Sequence, residues 1–396
     1  MDAGIDANKS NDVCTYLDCI KSKLLLIEPL NVDAIAETFK IEHFIRTALE
    51  DVAKHAAATN KYLAFEPILR GSGRENTRTF FPDEFDYILH CTGLQKHISL
   101  IHFPYEKHQF LIARDANNTR KNKHLAKFFH AKFDHGAVAM PQRLKTAVFT
   151  KELYSCFECL SDVPFVDGDL RLVLVQPKHK QIGCLKFRWT GDVFKDMMIS
   201  VDLVPSFKFE ENFVIAKTEK DYREDGVELW TFSTCSFEQQ SIGQLPKHIR
   251  DGFILAKALR IAKTFPQEII EELSLETDHI DDYLTSYMLK QLVLYCREQA
   301  QTYHEPAQIA HLLYSYIEMR LRCHGSILTY FHEEDAVFEC TQTMNTPPDE
   351  WQPCCFKRRL LLRMVQWILR LLRVYCTARG LACAVYSRRS SHMQRT

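Results

Sequence analysis

The chain has 396 residues, 46% of them hydrophobic, which is enough for a sizeable core divided between two lobes. Its formal net charge of -1 excludes nucleic-acid binding driven by bulk charge and leaves that role to local patches. The 14 cysteines follow a polar stretch, Met1 to Val13, with no apolar run, so no signal peptide, reduced thiols and a cytoplasmic setting are expected.

Asn31 to Tyr62 reads as one long helix, with Ile35, Phe39, Ile45, Leu49, Val52 and Ala56 at helical spacing and Pro29 ahead of its start. Ala64 to Leu69 alternates as a strand, broken by Gly71-Ser72-Gly73. Glu84 to His90 is a second strand, with Phe85, Tyr87 and Leu89 on one face and Glu84, Asp86 and Ile88 on the other. Asp115 to Lys123 is a polar, basic loop. Leu170 to Val175, Cys184 to Trp189 and Met197 to Val204 are further strands, and strands dominate up to about Gln244. After Pro246 the period changes to 3.6, with helices expected over Ile249 to Thr264, Asp281 to Gln301 and Pro306 to Cys323. Asn345 to Asp349, rich in proline, reads as a linker.

The order of elements implies an α+β architecture of two lobes. Residues 1–245 form a mixed-sheet lobe with a long N-terminal helix, residues 246–345 a helical lobe, and residues 346–396 a linker with a basic amphipathic helix. In that last helix Arg359, Arg363, Gln366, Arg370 and Arg373 form one polar stripe, which fits docking on the helical lobe or a membrane-surface role. The arginines inside its apolar run make it too costly as a membrane span. Cys156-x-x-Cys159 and the adjacent Cys354 and Cys355 lack a second pair at zinc-finger spacing, so no structural zinc is expected.

The chemistry-bearing pattern is acidic. Glu84 and Asp86 alternate on one strand, and Asp202 sits inside the apolar run Met198 to Val204. An aspartate there is costly unless it is paired, hydrogen-bonded or metal-bound. Three carboxylates that converge repel one another without cations, and a hard divalent ion is what such a donor set suits. Gly71-Ser72 stands ahead of the acidic strand, where glycine lets backbone N–H groups approach phosphate.

Gly71-Ser72, then Phe81-Pro82-Asp83-Glu84-Phe85-Asp86-Tyr87-Ile88-Leu89, then Ile199-Ser200-Val201-Asp202 resemble the Mab-twenty-one group of nucleotidyltransferases, which includes cyclic GMP-AMP synthase and the animal cGAS-like receptors. The resemblance runs in order from about Asn31 to Phe338. It implies a bilobal nucleotidyltransferase fold, with Glu84, Asp86 and Asp202 holding two magnesium (or manganese) ions. It implies nucleotide-binding roles for Gly71, Ser72, Ser233, Lys257, Ser286 and Tyr287: Ser72 at the triphosphate, Lys257 on phosphate, and Tyr287 stacked on a base. The substrates would be ATP, GTP or other nucleoside triphosphates, and the product a cyclic dinucleotide of innate immune signalling.

The vertebrate synthase carries a zinc-binding His-Cys insertion where Ser233 to Arg250 holds only Cys235 and His248. An activating ligand such as double-stranded RNA or another polynucleotide is therefore expected in place of DNA, with dimerisation on binding it. The position of the family's guanine-reading arginine is Thr231, so base selectivity does not carry over. Arg120, Lys121, Lys123 and Lys127 form the densest basic run and are the expected nucleic-acid footprint, with Lys40, Arg46, Lys54 and Lys61 along the first helix. A silent receptor or scaffold of the same fold, and a template-independent RNA-tailing enzyme, are the alternatives; retention of all three acids favours the synthase.

Overall fold

Alternating acidic and apolar residues give Glu84–His90 one dry face, and the sheet is built outward from it. The computed structural model describes residues 14–15, 17–18, 32–79, 82–101, 108–115, 121–126, 128–130, 138–139, 156, 165–175, 183–216, 223–224, 227–228, 230–260, 284–323, 326–328, 336–339 and 353–383. The chain is mixed α+β and divides into two units. A sheet unit comprises Leu30–Asn76 and Phe81–Gln239; a helical unit comprises Met1–Pro29, Thr77–Phe80 and Gln240–Thr396.

In the sheet unit a long helix, α1 (Val32–Thr59), precedes β1 (Glu66–Arg70), a short helix α2 (Gly71–Glu75) and β2 (Glu84–His90). Then come β3 (Ile98–Ile101), β4 (His108–Ala113), β5 (Phe129–His130), β6 (Val138–Ala139), β7 (Phe165–Asp167), β8 (Leu170–Val175), β9 (Cys184–Thr190), β10 (Met197–Phe209) and β11 (Asn212–Ile215). After a separate hairpin, β12 (Arg223–Glu224) with β13 (Val227–Glu228), β14 (Trp230–Phe232) closes the series. Along the main sheet the order is β5-β6-β4-β14-β11-β10-β9-β8-β7, with β3 on β4 and the β1–β2 hairpin joined to β10.

The pivot is β10. It pairs antiparallel with β9 through Met197 to Asp202, parallel with β2 through Ser200 to Ser206, and antiparallel with β11 through Ser206 to Phe209. One face of these strands is dry: Phe85, Tyr87, Leu89, Leu185, Phe187, Trp189, Ile199, Val201 and Leu203 are all buried. α1 meets this face, its Phe44 ring 5.9 Å from Trp189.

Glu37 of α1 fastens that contact. Its buried carboxylate accepts from the Trp189 indole N–H at 2.7 Å and from the backbone N–H groups of Val193 and Phe194 at 2.8 and 3.0 Å. Gly191 makes room, since a Cβ there would lie 2.1 Å from Glu37 Oε1. Each buried donor left unpaired costs about 1–3 kcal/mol. Glu37→Ala is therefore expected to lower the unfolding free energy by about 3 kcal/mol in urea titrations. A loss under about 1 kcal/mol would mean that water replaces the carboxylate.

The helical unit begins within α3 (Cys235–Gly243), at Gln240, and continues with α4 (Lys247–Leu259), α5 (Ser286–Tyr295), α6 (Pro306–Cys323), the hairpin of β15 (Ser326–Leu328) and β16 (Ala336–Glu339), and α7 (Pro353–Ala378). Its core joins Phe253, Leu289, Leu313, Ile317, Ile368 and Leu372. α4 and α6 approach closely because residue 252 is glycine; a Cβ there would lie 2.5 Å from Ile309 Cβ. The Tyr314 hydroxyl donates to the Ala256 carbonyl at 2.7 Å across the same contact. α7 docks its apolar face in this core and leaves Arg370 and Arg373 exposed. Asp18 accepts from the Tyr375 hydroxyl at 2.8 Å and from Arg379, tying the N-terminal segment to the end of α7. Among the described residues no helix is long and apolar enough to cross a membrane.

Several boundaries differ from the sequence reading. The first helix stops at Thr59 rather than Tyr62, because the Asn60 side chain accepts from Tyr62 N–H and starts a separate 3-10 turn, Lys61–Leu63. The first strand runs Glu66–Arg70, and Gly71-Ser72-Gly73 opens a helix rather than merely breaking the strand. The expected helix Asp281–Gln301 is interrupted at Cys296, and its described part gives Ser286–Tyr295 and Arg297–Ala300. Strands do not persist to Gln244, because α3 intervenes; the signal was Ser233-Thr234, residue types favoured just ahead of a helix start, and the Ser233 hydroxyl accepts from Cys235 N–H there. The linker at residues 345–349 lies outside the described residues.

Candidate metal centre

Parallel pairing of β2 with β10 sets Asp202 opposite Asp86 and Ser200 opposite Glu84. Cross-strand partners share a face, so Glu84, Asp86 and Asp202 all project from the side opposite the dry one. One carboxylate oxygen from each lies within 4.8 Å of the others. Among the described residues this is the one group of three or more His, Cys, Asp or Glu side chains with such convergence. Glu84 is exposed and the two aspartates are half-buried, so the cluster is open to an ion and its waters.

The chain comes very close to this cluster at Gly71. Its φ is +64°, in the left-handed region, and a Cβ there would lie 1.9 Å from Asp86 Oδ2. No side chain other than hydrogen fits between the turn and the carboxylate. Ser72 follows in α2, half-buried.

The donor set is oxygen only, the type that magnesium and manganese take, whereas zinc favours nitrogen and sulfur. A thiol does stand next to it: Cys184 of β9 is the antiparallel partner of Asp202. Burial pushes the Cys184 thiol up to about 11, helped by the charge of Asp202 and a hydrogen bond to it. The residues present fit a hard divalent cation.

No protein-family model matches the chain, and no curated protein does.

The other site residues take varied positions. The Ser233 hydroxyl accepts from Cys235 N–H at 3.3 Å, at the start of α3. Lys257 is buried, its ammonium donating to the Thr77 carbonyl at 2.9 Å and lying 5.6 Å from the Phe253 ring centroid. Ser286 and Tyr287 open α5, which Thr285 caps by accepting from Met288 N–H. Tyr287 is on the surface, 38% exposed, with the Lys290 ammonium over its ring, so it is not a core tyrosine.

Lys121 and Lys123 are exposed, while Arg120 and Lys127 lie outside the described residues. The α1 cations are matched locally: Lys40 with Asp167 at 3.5 Å, Arg46 with Glu50 at 3.9 Å and Lys54 with Asp51 at 2.9 Å. Exposed pairs of this kind are worth little to stability, but they reduce the positive field along the helix. Sequence reasoning missed Cys184 and Lys186, whose strand alternation was plain but whose place beside the acids depends on pairing across the sheet.

Proposed function

We propose that the chain is a nucleotidyltransferase that joins nucleoside triphosphates, ATP, GTP or both, into a cyclic dinucleotide, acting in the cytosol in response to a polynucleotide ligand. The observation that carries this reading is the convergence of Glu84, Asp86 and Asp202 on the open face of the sheet. The resemblance of the surrounding motifs to the Mab-twenty-one group supports it, as does the bare turn at Gly71 pressed against Asp86.

Glu84, Asp86 and Asp202 would hold magnesium. The chemistry such an ion would supply is charge to offset the triphosphate and a lowered pKa for an attacking hydroxyl. The protein's part is to fix the carboxylates: β2 and β10 hold them in register, and the dry face beneath locks both strands. Gly71 lets the backbone run beside the metal ligands, and Ser72 is the proposed contact to phosphate. Tyr287, exposed at the start of α5, is the proposed stacking residue for a base.

The test is incubation of the full chain with labelled ATP and GTP, magnesium, and either double-stranded RNA, single-stranded RNA or DNA, with products separated by chromatography. A small primer-independent product that magnesium chelation abolishes is the expected result. Extension of RNA ends would instead support a tailing enzyme. Absence of any nucleotide binding in magnesium would support a silent receptor.

A further inference from the structure

The open face of the sheet carries cations as well as acids, and their register relative to the triad differs. Reading across β9, β10 and β2, one row is Cys184, Asp202, Asp86, extended by Arg70 of β1. The next row is Lys186, Ser200, Glu84. Beyond it lie Arg188 and Met198. Lys186 is therefore directly opposite Ser200 and diagonal to Asp202, within reach of its flexible four-carbon stem.

The neighbouring cations are committed elsewhere. Arg188 is held by a two-pronged pair with Asp196, one contact at 2.8 Å. Arg70 donates to Gln239 at 3.2 Å and lies over the Phe213 ring. Lys186 is exposed and makes no hydrogen bond or ion pair among the described residues.

We propose that Lys186 is a specificity-determining residue of this centre, its ammonium contacting the terminal phosphates of the bound nucleoside triphosphate. The inference rests on the nucleotidyltransferase reading above. Three carboxylates repel a polyanionic substrate, and metal charge alone must otherwise offset both. A lysine without a partner among the described residues, one row from Asp202, supplies a compact positive charge with three donors at the edge of the acidic face. Arg171, also on this face of the sheet, pairs with Thr190 at the far end of β9, three rows from Asp202, and is too distant for the same role.

The experiment is calorimetric titration of the full chain with ATP and with AMP in magnesium, for the parent, Lys186→Ala and Lys186→Arg. Loss of one charge-assisted phosphate contact weakens ATP binding about ten-fold in Lys186→Ala. AMP binding is expected to stay within about two-fold of the parent, since AMP lacks the terminal phosphates, and Lys186→Arg is expected to recover most of the ATP affinity. Equal losses for ATP and AMP overturn the assignment, because they indicate a structural effect. Parent-like ATP affinity in Lys186→Ala also overturns it and leaves the nucleotidyltransferase reading standing; if that variant instead binds double-stranded RNA more weakly, the lysine belongs to a polynucleotide surface. A parent chain that binds no ATP or GTP in magnesium overturns both.

Discussion

Asp202→Asn is expected to reduce product formation by about 10³-fold or more. Transition-state charge stabilisation by bound metal is worth several kcal/mol, and about 4 kcal/mol corresponds to that factor. The change is nearly isosteric, and the strand around it is set by buried Ile199, Val201 and Leu203, so the fold should persist. The metal-free variant should melt at the same temperature as the parent or slightly higher, because one of three like charges is gone. The parent should gain stability on adding magnesium, and the variant should not. Measuring both melting curves alongside activity separates a lost ligand from a damaged fold. An active Asp202→Asn variant would end the metal-centre reading.

The acids were legible because strand periodicity is short-range. Glu84 and Asp86 two residues apart must share a face, and Asp202 in an apolar run must answer to something outside the hydrophobic core. What the sequence does not contain is the partner. That β10 lies parallel to β2, with Asp202 opposite Asp86 rather than one residue out of step, follows from pairing across more than a hundred residues of chain. A slip of one residue would put Asp202 on the dry face. The same dependence hid Cys184 and Lys186, which the sequence places in a strand but not beside the acids. Glu37 was invisible for another reason. An acid on a helix usually faces water, and its role appears only once the turn at Val193 and Phe194 is known to close over it. α3 was missed because its described apolar anchors are few: Ile242 is buried but Phe237 is 51% exposed, so helical periodicity is faint.

Gly71→Ala is expected to act on the same centre without touching a ligand. Two costs separate cleanly here. A left-handed φ of +64° is worth about 1 kcal/mol against alanine wherever it occurs. The second cost is local, because the new methyl would sit 1.9 Å from Asp86 Oδ2, so either the turn or the carboxylate must move. Displacing a reacting group by about 1 Å can cost about 10²-fold in rate, and disturbing what supports a metal ligand costs about 10–100-fold in affinity. Gly168 supplies the control. Its φ is +62°, yet a Cβ there meets nothing within 4 Å. Gly168→Ala should therefore carry the backbone strain alone, lowering the melting temperature by a few degrees, roughly 2–4 °C, while leaving magnesium affinity and activity unchanged. Gly71→Ala should lose at least as much stability and, in addition, about 10²-fold in activity. If the two alanine variants differ neither in magnesium titration nor in turnover, the close approach of Gly71 to Asp86 serves only the turn, and the phosphate-facing role proposed for Ser72 loses its support.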